Sequence, residues 1–326
     1  MTPPQADPLA ATIDAIHGFP LDDGLAYLFP GQGSQQPGMG KDVAAISAAA
    51  RAVFQSADEI LGFDLSALCF EGPDDELVLT SNAQPAILTT SLAILAAAVE
   101  SGTLPGRPAF VAGHSLGQYT ALVAAGALPF EDALRLVRER GRLMAEAGEK
   151  QPGTMAAIVG LDEETVAAIC AECGAEPCNY NLVSQVVVGG TAECVERARE
   201  LAKDRGGKGL PVNVSGAFHT SLMQPAADQL RPFLQAVAVQ APRTQVVSNV
   251  SGGPVTREAI LDDLAVQVIR PVRWRQTIDY MAERGIRRFV EIGSGQVLTA
   301  MMKRHSKELE MTTLNSAAAL ASPSNV

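Results

Sequence analysis

Gly113-His114-Ser115-Leu116-Gly117 is the stretch whose residue types and spacing say most about chemistry. A G-x-S-x-G pentapeptide between a strand and a helix makes a sharp turn. The turn lifts the serine hydroxyl off the sheet, and small flanking residues let strand and helix close on each other. The start of the helix adds main-chain N–H groups that can hold a developing oxyanion. The hydroxyl also needs a base. The four histidines are His17, His114, His219 and His305. His17 and His305 lie near the two ends of the chain, and a neighbour of the nucleophile on such a turn points elsewhere. Elimination leaves His219, in Ser215-Gly216-Ala217-Phe218-His219-Thr220. Its distance in sequence is no objection, because such pairs are assembled in space. The plainer alternative is a hydrogen-bonded structural histidine.

Arg140 is the next candidate. On a helix expected over 130–147, the apolar stripe runs Ala133, Val137, Met144 at helical period, and Arg140 lies on it. A guanidinium on a core-facing stripe is costly unless it meets an anion. Three readings stay open: an internal salt bridge, a stem that snorkels to water, or a planar clamp for a substrate carboxylate. The turn Phe29-Pro30-Gly31-Gln32-Gly33-Ser34-Gln35 fails as a dinucleotide fingerprint because Gln36 stands where the third glycine would be, and no Walker A loop occurs. It can instead turn backbone N–H groups toward the nucleophile. Cys170 and Cys173, with Cys178 and Cys194 beyond, lack a second C-x-x-C and a nearby histidine, so no metal site is expected. Glu291-Ile292-Gly293-Ser294-Gly295 could seat a phosphate, but a tight turn is the simpler reading.

The elements that must hold these residues alternate. Strands are expected at 25–29 and 109–112, with helices at 44–61, 84–100, 116–125 and 130–147, and Pro85 in the first turn of its helix. Such alternation is the α/β signature. From 155 to 214 the order becomes β-α-β-β-α-β, with Asp162 and Thr191 as helix caps, which is the ferredoxin-like unit. The larger body resumes with helices over 220–239, 256–269, 274–284 and 296–304, and strands at 245–249 and 288–292. The expected domains are therefore an extension at 1–24 with a short helix near 9–16, a body of 25–150 and 215–316, an inserted small domain at 151–214, and a tail at 317–326.

Composition narrows the classes. The 326 residues suit about two domains. A 47% hydrophobic and 19% charged make-up does not suit disorder. The net charge of −11 argues against a nucleic-acid surface. Five cysteines and an N-terminal stretch without Lys or Arg point to a reducing cytoplasm rather than export. The apolar stretch 87–99 is too short for a membrane span.

Taken in order, the 29–35 turn, Asn82-Ala83-Gln84-Pro85-Ala86, the Ser115 pentapeptide, Arg140 and Gly216-Ala217-Phe218-His219 resemble the malonyl-CoA:acyl carrier protein transacylase family of fatty-acid synthesis and the related polyketide synthase acyltransferases. The likeness spans about 25–316. It implies an α/β-hydrolase-like parallel-sheet body with an inserted ferredoxin-like small domain. It implies Ser115 as nucleophile, His219 as base and acid, and Arg140 as partner of the malonyl carboxylate. Gln32 and Leu116 would supply the oxyanion N–H groups, and Gln267 would support the site. Asn181 would line the cleft. Phe218 would crowd an α-methyl group and so favour malonyl. No cofactor is implied; phosphopantetheine comes on the partner, acyl carrier protein. Gln118 departs from the family, which has Glu there. The alternatives are a polyketide acyltransferase acting in trans, an acyl-thioester hydrolase with the same Ser–His pair, and a non-catalytic docking subunit. A carrier protein is acidic, and Arg270, Arg273, Arg275, Arg284, Arg287, Arg288, Lys303 and Arg304 could offer it a basic face, though solvated helix faces explain many of them.

Overall fold

A computed structural model describes residues 7–321. Its strands are β1 (Leu21–Phe29), β2 (Arg107–Gly113), β3 (Thr154–Val159), β4 (Glu176–Leu182), β5 (Gln185–Gly190), β6 (Lys208–Val212), β7 (Gln245–Val246), β8 (Arg288–Ile292) and β9 (Glu310–Leu314). Two compact units divide them. One comprises Met1–Arg138, Ala238–Val247 and Met281–Val326; the other comprises Glu139–Val237 and Ser248–Tyr280. Compactness thus cuts the chain at different places from the boundaries expected from the element pattern.

The first unit holds a parallel sheet in the order β7-β2-β1-β8-β9. Residues 25–29 are an unbroken apolar run and are buried, as a central parallel strand covered on both faces requires. In the β1–β2 register Phe29 stands opposite Gly113. The loops that follow, carrying Gln32 and Ser115, therefore leave the same carboxyl edge of neighbouring strands. That edge is where open parallel sheets bind ligands.

The second unit carries the antiparallel sheet β4-β5-β3-β6. With helices Glu163–Cys173 and Ala192–Asp204 it completes the expected β-α-β-β-α-β order. Ile158, Val166, Ile169, Val186, Val188 and Ala198 are among its core residues. Asp162 accepts from the Thr165 N–H and Thr191 from the Cys194 N–H, so both expected caps form.

Several elements differ from expectation for local reasons. The helix expected over 44–61 is two helices, Lys41–Ile46 and Ala48–Leu61. Ser47 breaks it by going extended and accepting from the Ala50 N–H. The next long helix starts at Thr80, so Pro85 is interior. Its missing N–H frees the Ser81 carbonyl, which accepts from Arg138 Nη1 at 2.7 Å. This helix, Thr80–Glu100, is long and apolar enough to cross a membrane, unlike the shorter stretch read from sequence. However, 89% of its apolar window is buried inside the protein. The helix expected over 220–239 is a 3₁₀ turn, Ser221–Met223, followed by Gln224–Gln235. The parallel edge strand β9 was not expected: Glu310, Thr312 and Thr313 hide it among polar residues.

The extension holds the short helix expected near 9–16, and the start of the expected tail is more ordered than a frayed end. Ala10–Gly18 is helical, with Leu9, Ile13 and Ile16 buried. Ser316 caps a short helix, Ala317–Leu320. The rest of the expected extension and tail, 1–6 and 322–326, lies outside the described residues.

The 291–295 turn does not hold a phosphate. Buried Glu291 accepts from the main-chain N–H groups of Leu298 at 3.0 Å and Thr299 at 2.7 Å, the donors that a bound anion would need. Glu291→Gln puts a donor against one of these N–H groups. It is expected to destabilise the protein by about 1–3 kcal/mol, read from urea denaturation.

Candidate active site

The nucleophile turn in the first unit is built on close contact. A Cβ on Gly113 would lie 2.0 Å from the Gly117 carbonyl, one on Gly117 would lie 2.1 Å from the Phe29 carbonyl oxygen, and one on Gly31 would lie 2.3 Å from the His114 carbonyl oxygen. Only glycine permits strand, turn and the 29–35 loop to meet this way. Ser115 pivots between them at φ +50°, in the left-handed region, and is half-buried. The turn takes up its own amides: Gly117 N–H donates to His114, Gln118 N–H to Ser115 and Tyr119 N–H to Leu116. Among the described residues the main-chain N–H groups of Leu116 and Gln32 donate to no protein acceptor. These are the two donors expected to hold an oxyanion. The Gln32 side chain is occupied separately, donating to Thr80 Oγ1 at 3.2 Å. Gln118 is buried.

In the second unit the central residue is Gln267, the last residue of helix Ile260–Gln267. The last carbonyls of a helix have no intrahelical donor. The Gln267 carbonyl accepts from His219 Nδ1 at 2.8 Å, and the next carbonyl, Val268, accepts the His219 main-chain N–H at 3.1 Å. A carbonyl only accepts, so Nδ1 is the donor, and in the neutral imidazole Nε2 is then the nitrogen with the lone pair. His219 is 4% exposed with φ +63°. Thr220 Oγ1 closes the loop on the Ala217 carbonyl at 2.6 Å.

The Gln267 side chain, 0% exposed, meets Arg140. Arg140 Nη2 donates to Gln267 Oε1 at 3.1 Å, and Arg140 is 1% exposed, so its stem does not snorkel to water. Gln267 Nε2 donates in turn to Asn249 Oδ1 at 3.3 Å. Sequence reasoning missed Asn249. Its only signal was a polar residue at the end of the expected strand 245–249, beyond the carboxyl end of β7. Asn181 and Phe218 are both buried in this unit, Asn181 on β4. Gly216 packs near the Phe218 ring, where a Cβ would stand 3.3 Å from Cε1.

Other candidates are occupied by structure. Cys170 and Cys178 sit in the small-sheet core, and burial pushes the Cys170 thiol up to about 12 and raises that of Cys178. Such thiols are inert packing groups. Within the expected basic stretch, Arg275 pairs with Glu163 and Asp279, Arg288 pairs with Asp22, and Arg287 donates to the carbonyls of Ala282 and Ile286. Arg270, Arg273, Arg284, Lys303 and Arg304 are exposed.

A parallel sheet that ends in a strained strand–serine–helix turn, joined to a ferredoxin-like unit, defines the α/β-hydrolase-like class. Residues 26–322 match the acyl transferase domain family, and the chain belongs to it. It is 46% identical over 293 residues to the malonyl CoA-acyl carrier protein transacylase of Bacillus subtilis, covering 88% of this chain and 92% of that one. It is similar to an acyl carrier protein S-malonyltransferase structure from Vibrio cholerae, with TM-score 0.88, 40% identity, and coverage of 92% and 99%. It is also similar to a structure of a type II PKS acyl-carrier protein in complex with its malonyl-transacylase, with TM-score 0.88, 41% identity, and coverage of 92% and 98%.

Gly117→Ala tests the close packing of the elbow. It is expected to cost about 1–3 kcal/mol or more in urea denaturation, as overpacking does. Gly18→Ala, with nothing within 4 Å of its Cβ, is expected to change stability by less than about 1 kcal/mol.

Proposed function

We propose that this chain moves the malonyl group of malonyl-CoA to the phosphopantetheine thiol of acyl carrier protein through an ester on Ser115. One observation carries the residue assignment. Among the described residues, Ser115 and His219 are the only non-glycine positions with positive φ. Left-handed backbone at ordinary residues costs of order 1–3 kcal/mol and concentrates at functional sites. Two residues chosen from motif and elimination coincide with the two strained positions.

In the proposed reaction His219 Nε2 takes the Ser115 proton as Oγ attacks the thioester carbonyl. The tetrahedral oxyanion rests on the N–H groups of Gln32 and Leu116. The C–S bond breaks, CoA leaves with the proton from His219, and malonyl-serine remains. The carrier thiol then gives its proton to His219 and attacks the ester, restoring the serine. This is double-displacement covalent catalysis. Arg140 holds the malonyl carboxylate as a planar, bidentate partner. Residues 25–150 and 215–316 form the catalytic body, 151–214 the small domain, and the cytoplasm is the place of action. Support for malonyl comes from the named relatives and from Arg140, a buried guanidinium on the helix stripe beside the Gln267 amide oxygen.

Intact-mass measurement after incubation with malonyl-CoA is expected to show a malonyl adduct on the wild type and none on Ser115→Ala. Lack of an adduct on the wild type would favour a docking subunit. Arg140→Ala is expected to lower malonyl kcat/KM by at least about 30-fold, as loss of one partner of a buried charge pair does, and to raise the acetyl-to-malonyl activity ratio. An unchanged ratio would remove the clamp and favour the hydrolase reading.

A further inference from the structure

We propose that Glu176 is a positioning residue for His219: its carboxylate holds the backbone that leaves the histidine and so keeps the ring in its working place. This rests on the Ser–His reading above and adds to it a residue that touches no reacting atom.

The His219 loop lies on one end of the small sheet. Glu176 on β4 stands opposite Gly189 on β5. A Cβ on Gly189 would lie 3.1 Å from Thr220 Cγ2 and 3.4 Å from Ala217 Cβ, and one on Gly153 would lie 2.8 Å from Ala217 Cβ. Bare backbone at these two positions lets the loop pack directly onto the sheet. Beside this contact, Ser221 begins the 3₁₀ turn Ser221–Met223. Thr220, the residue before the turn, gives it no side-chain cap. The Thr220 hydroxyl bonds the Ala217 carbonyl instead. Glu176 supplies the acceptor from β4. Ser221 N–H donates to Oε1 at 3.2 Å and to Oε2 at 3.1 Å, and Ser221 Oγ donates to Oε1. Hydrogen bonds to an ionised carboxylate are the stronger kind, and an ionised carboxylate only accepts, so their direction is fixed.

This hold matters because of the residue it follows. His219 has φ +63°. A histidine in the left-handed region is strained and keeps that conformation only when its surroundings enforce it. Glu176 is part of that enforcement, two residues beyond the strained position.

The same strand holds the segment that the histidine meets. The register of β4 with β5 slips between Pro177 and Asn179, which makes Cys178 an extra residue. Such a bulge disrupts the ladder locally and re-aims the strand. The Cys178 carbonyl accepts the Val272 N–H at 2.8 Å, and the Tyr180 N–H donates to the Val272 carbonyl at 2.8 Å. β4 is an edge strand of its sheet, and Val272 covers part of that edge. Val272 lies four residues beyond Val268, whose carbonyl accepts the His219 N–H. One strand thus grips both segments that meet at His219. It holds 267–272 through main chain and 219–221 through the Glu176 carboxylate, and only the second hold can be removed by changing a side chain.

Loss of the carboxylate lets His219 spend part of its time in a relaxed backbone conformation with the ring out of place. The loss then falls on kcat, in proportion to that time, and is the same for every acyl group. This separates Glu176 from Arg140, whose loss is selective.

The test measures Ser115 acylation by malonyl-CoA and acetyl-CoA per mole of folded protein. Glu176→Ala is expected to lower kcat roughly three- to tenfold for both substrates, with KM held within about twofold and the malonyl-to-acetyl ratio unchanged. Sulfonylation of Ser115 by phenylmethanesulfonyl fluoride, which needs the base but no malonyl contact, is expected to slow by a similar factor. Glu176→Gln keeps an oxygen acceptor and is expected to recover part of kcat. Ser221→Ala removes one of the two donors and is expected to lose less than Glu176→Ala, and adding it to Glu176→Ala is expected to change kcat no further. Wild-type kcat in Glu176→Ala would show that the loop is held without the carboxylate and would overturn the proposal. So would a loss carried by KM or by one substrate alone, no recovery in Glu176→Gln, or an independent second loss in the double variant. If Glu176→Ala does not fold, Ser221→Ala decides: a lower kcat at unchanged KM for both substrates supports the proposal, and wild-type kcat or a loss in KM overturns it. Failure of the Ser–His reading is visible separately, as no malonyl adduct on the wild type or an undiminished acylation rate in His219→Ala.

Discussion

The hydrogen bond from His219 Nδ1 to the Gln267 carbonyl is the constraint on which the arrangement around His219 in the second unit depends. It exists because helix Ile260–Gln267 stops there and leaves its last carbonyls without intrahelical donors. The carbonyl sets the tautomer and so decides which imidazole nitrogen can act as base. The same residue reaches Arg140 with its side chain. One helix end therefore meets both the His219 ring and the Arg140 guanidinium, the first through its main chain and the second through its side chain. Ser248 and Asn249 meet the same helix at Asp263 and Gln267.

The first unit meets a different requirement. A serine hydroxyl must stand clear of the sheet, while the strand before it and the helix after it stay packed. The φ of +50° at Ser115 satisfies the first demand at a cost in backbone strain. Gly113, Gly117 and Gly31 satisfy the second by letting carbonyls approach to distances that a Cβ would block. The parallel register of β1 and β2 brings the two loops to one edge, so the N–H groups of Leu116 and Gln32 belong to neighbouring strand ends. Strain at Ser115 is sustained by a sheet whose central strand is buried over residues 25–29.

Legibility in the sequence followed the range of the interactions. Ser115 was readable because its motif is local and its flanking glycines carry the geometry. The β-α-β-β-α-β unit was readable from alternation and two caps. His219 came from elimination, and Gln267 only from a family likeness, since nothing in its own neighbourhood marks a helix end as functional. Asn249 was not readable, because its role lies in contacts 18 residues away. Pro85 misled for the opposite reason. A proline reads locally as a helix start, but here Arg138, distant in sequence, accommodates it inside the helix. Polar edge strand β9 is held by β8 rather than by any pattern of its own. Part of the expected basic face shows the same limit: charge counts do not reveal that Arg275 and Arg288 are paired within the fold.

The neutrality of the Gln267 groups also bears on how transfer works. A carboxylate hydrogen-bonded to imidazole stabilises the imidazolium and makes it slower to return its proton; a carbonyl orients the ring with a weaker pull. The Gln267 amide oxygen likewise meets one Arg140 donor without itself carrying a charge. In the proposed reaction these neutral groups face what arrives with the substrate: the thiol proton for His219 and the malonyl carboxylate for Arg140. Glutamine and asparagine can rigidify a buried cation through directed hydrogen bonds while leaving its electrostatic attraction intact.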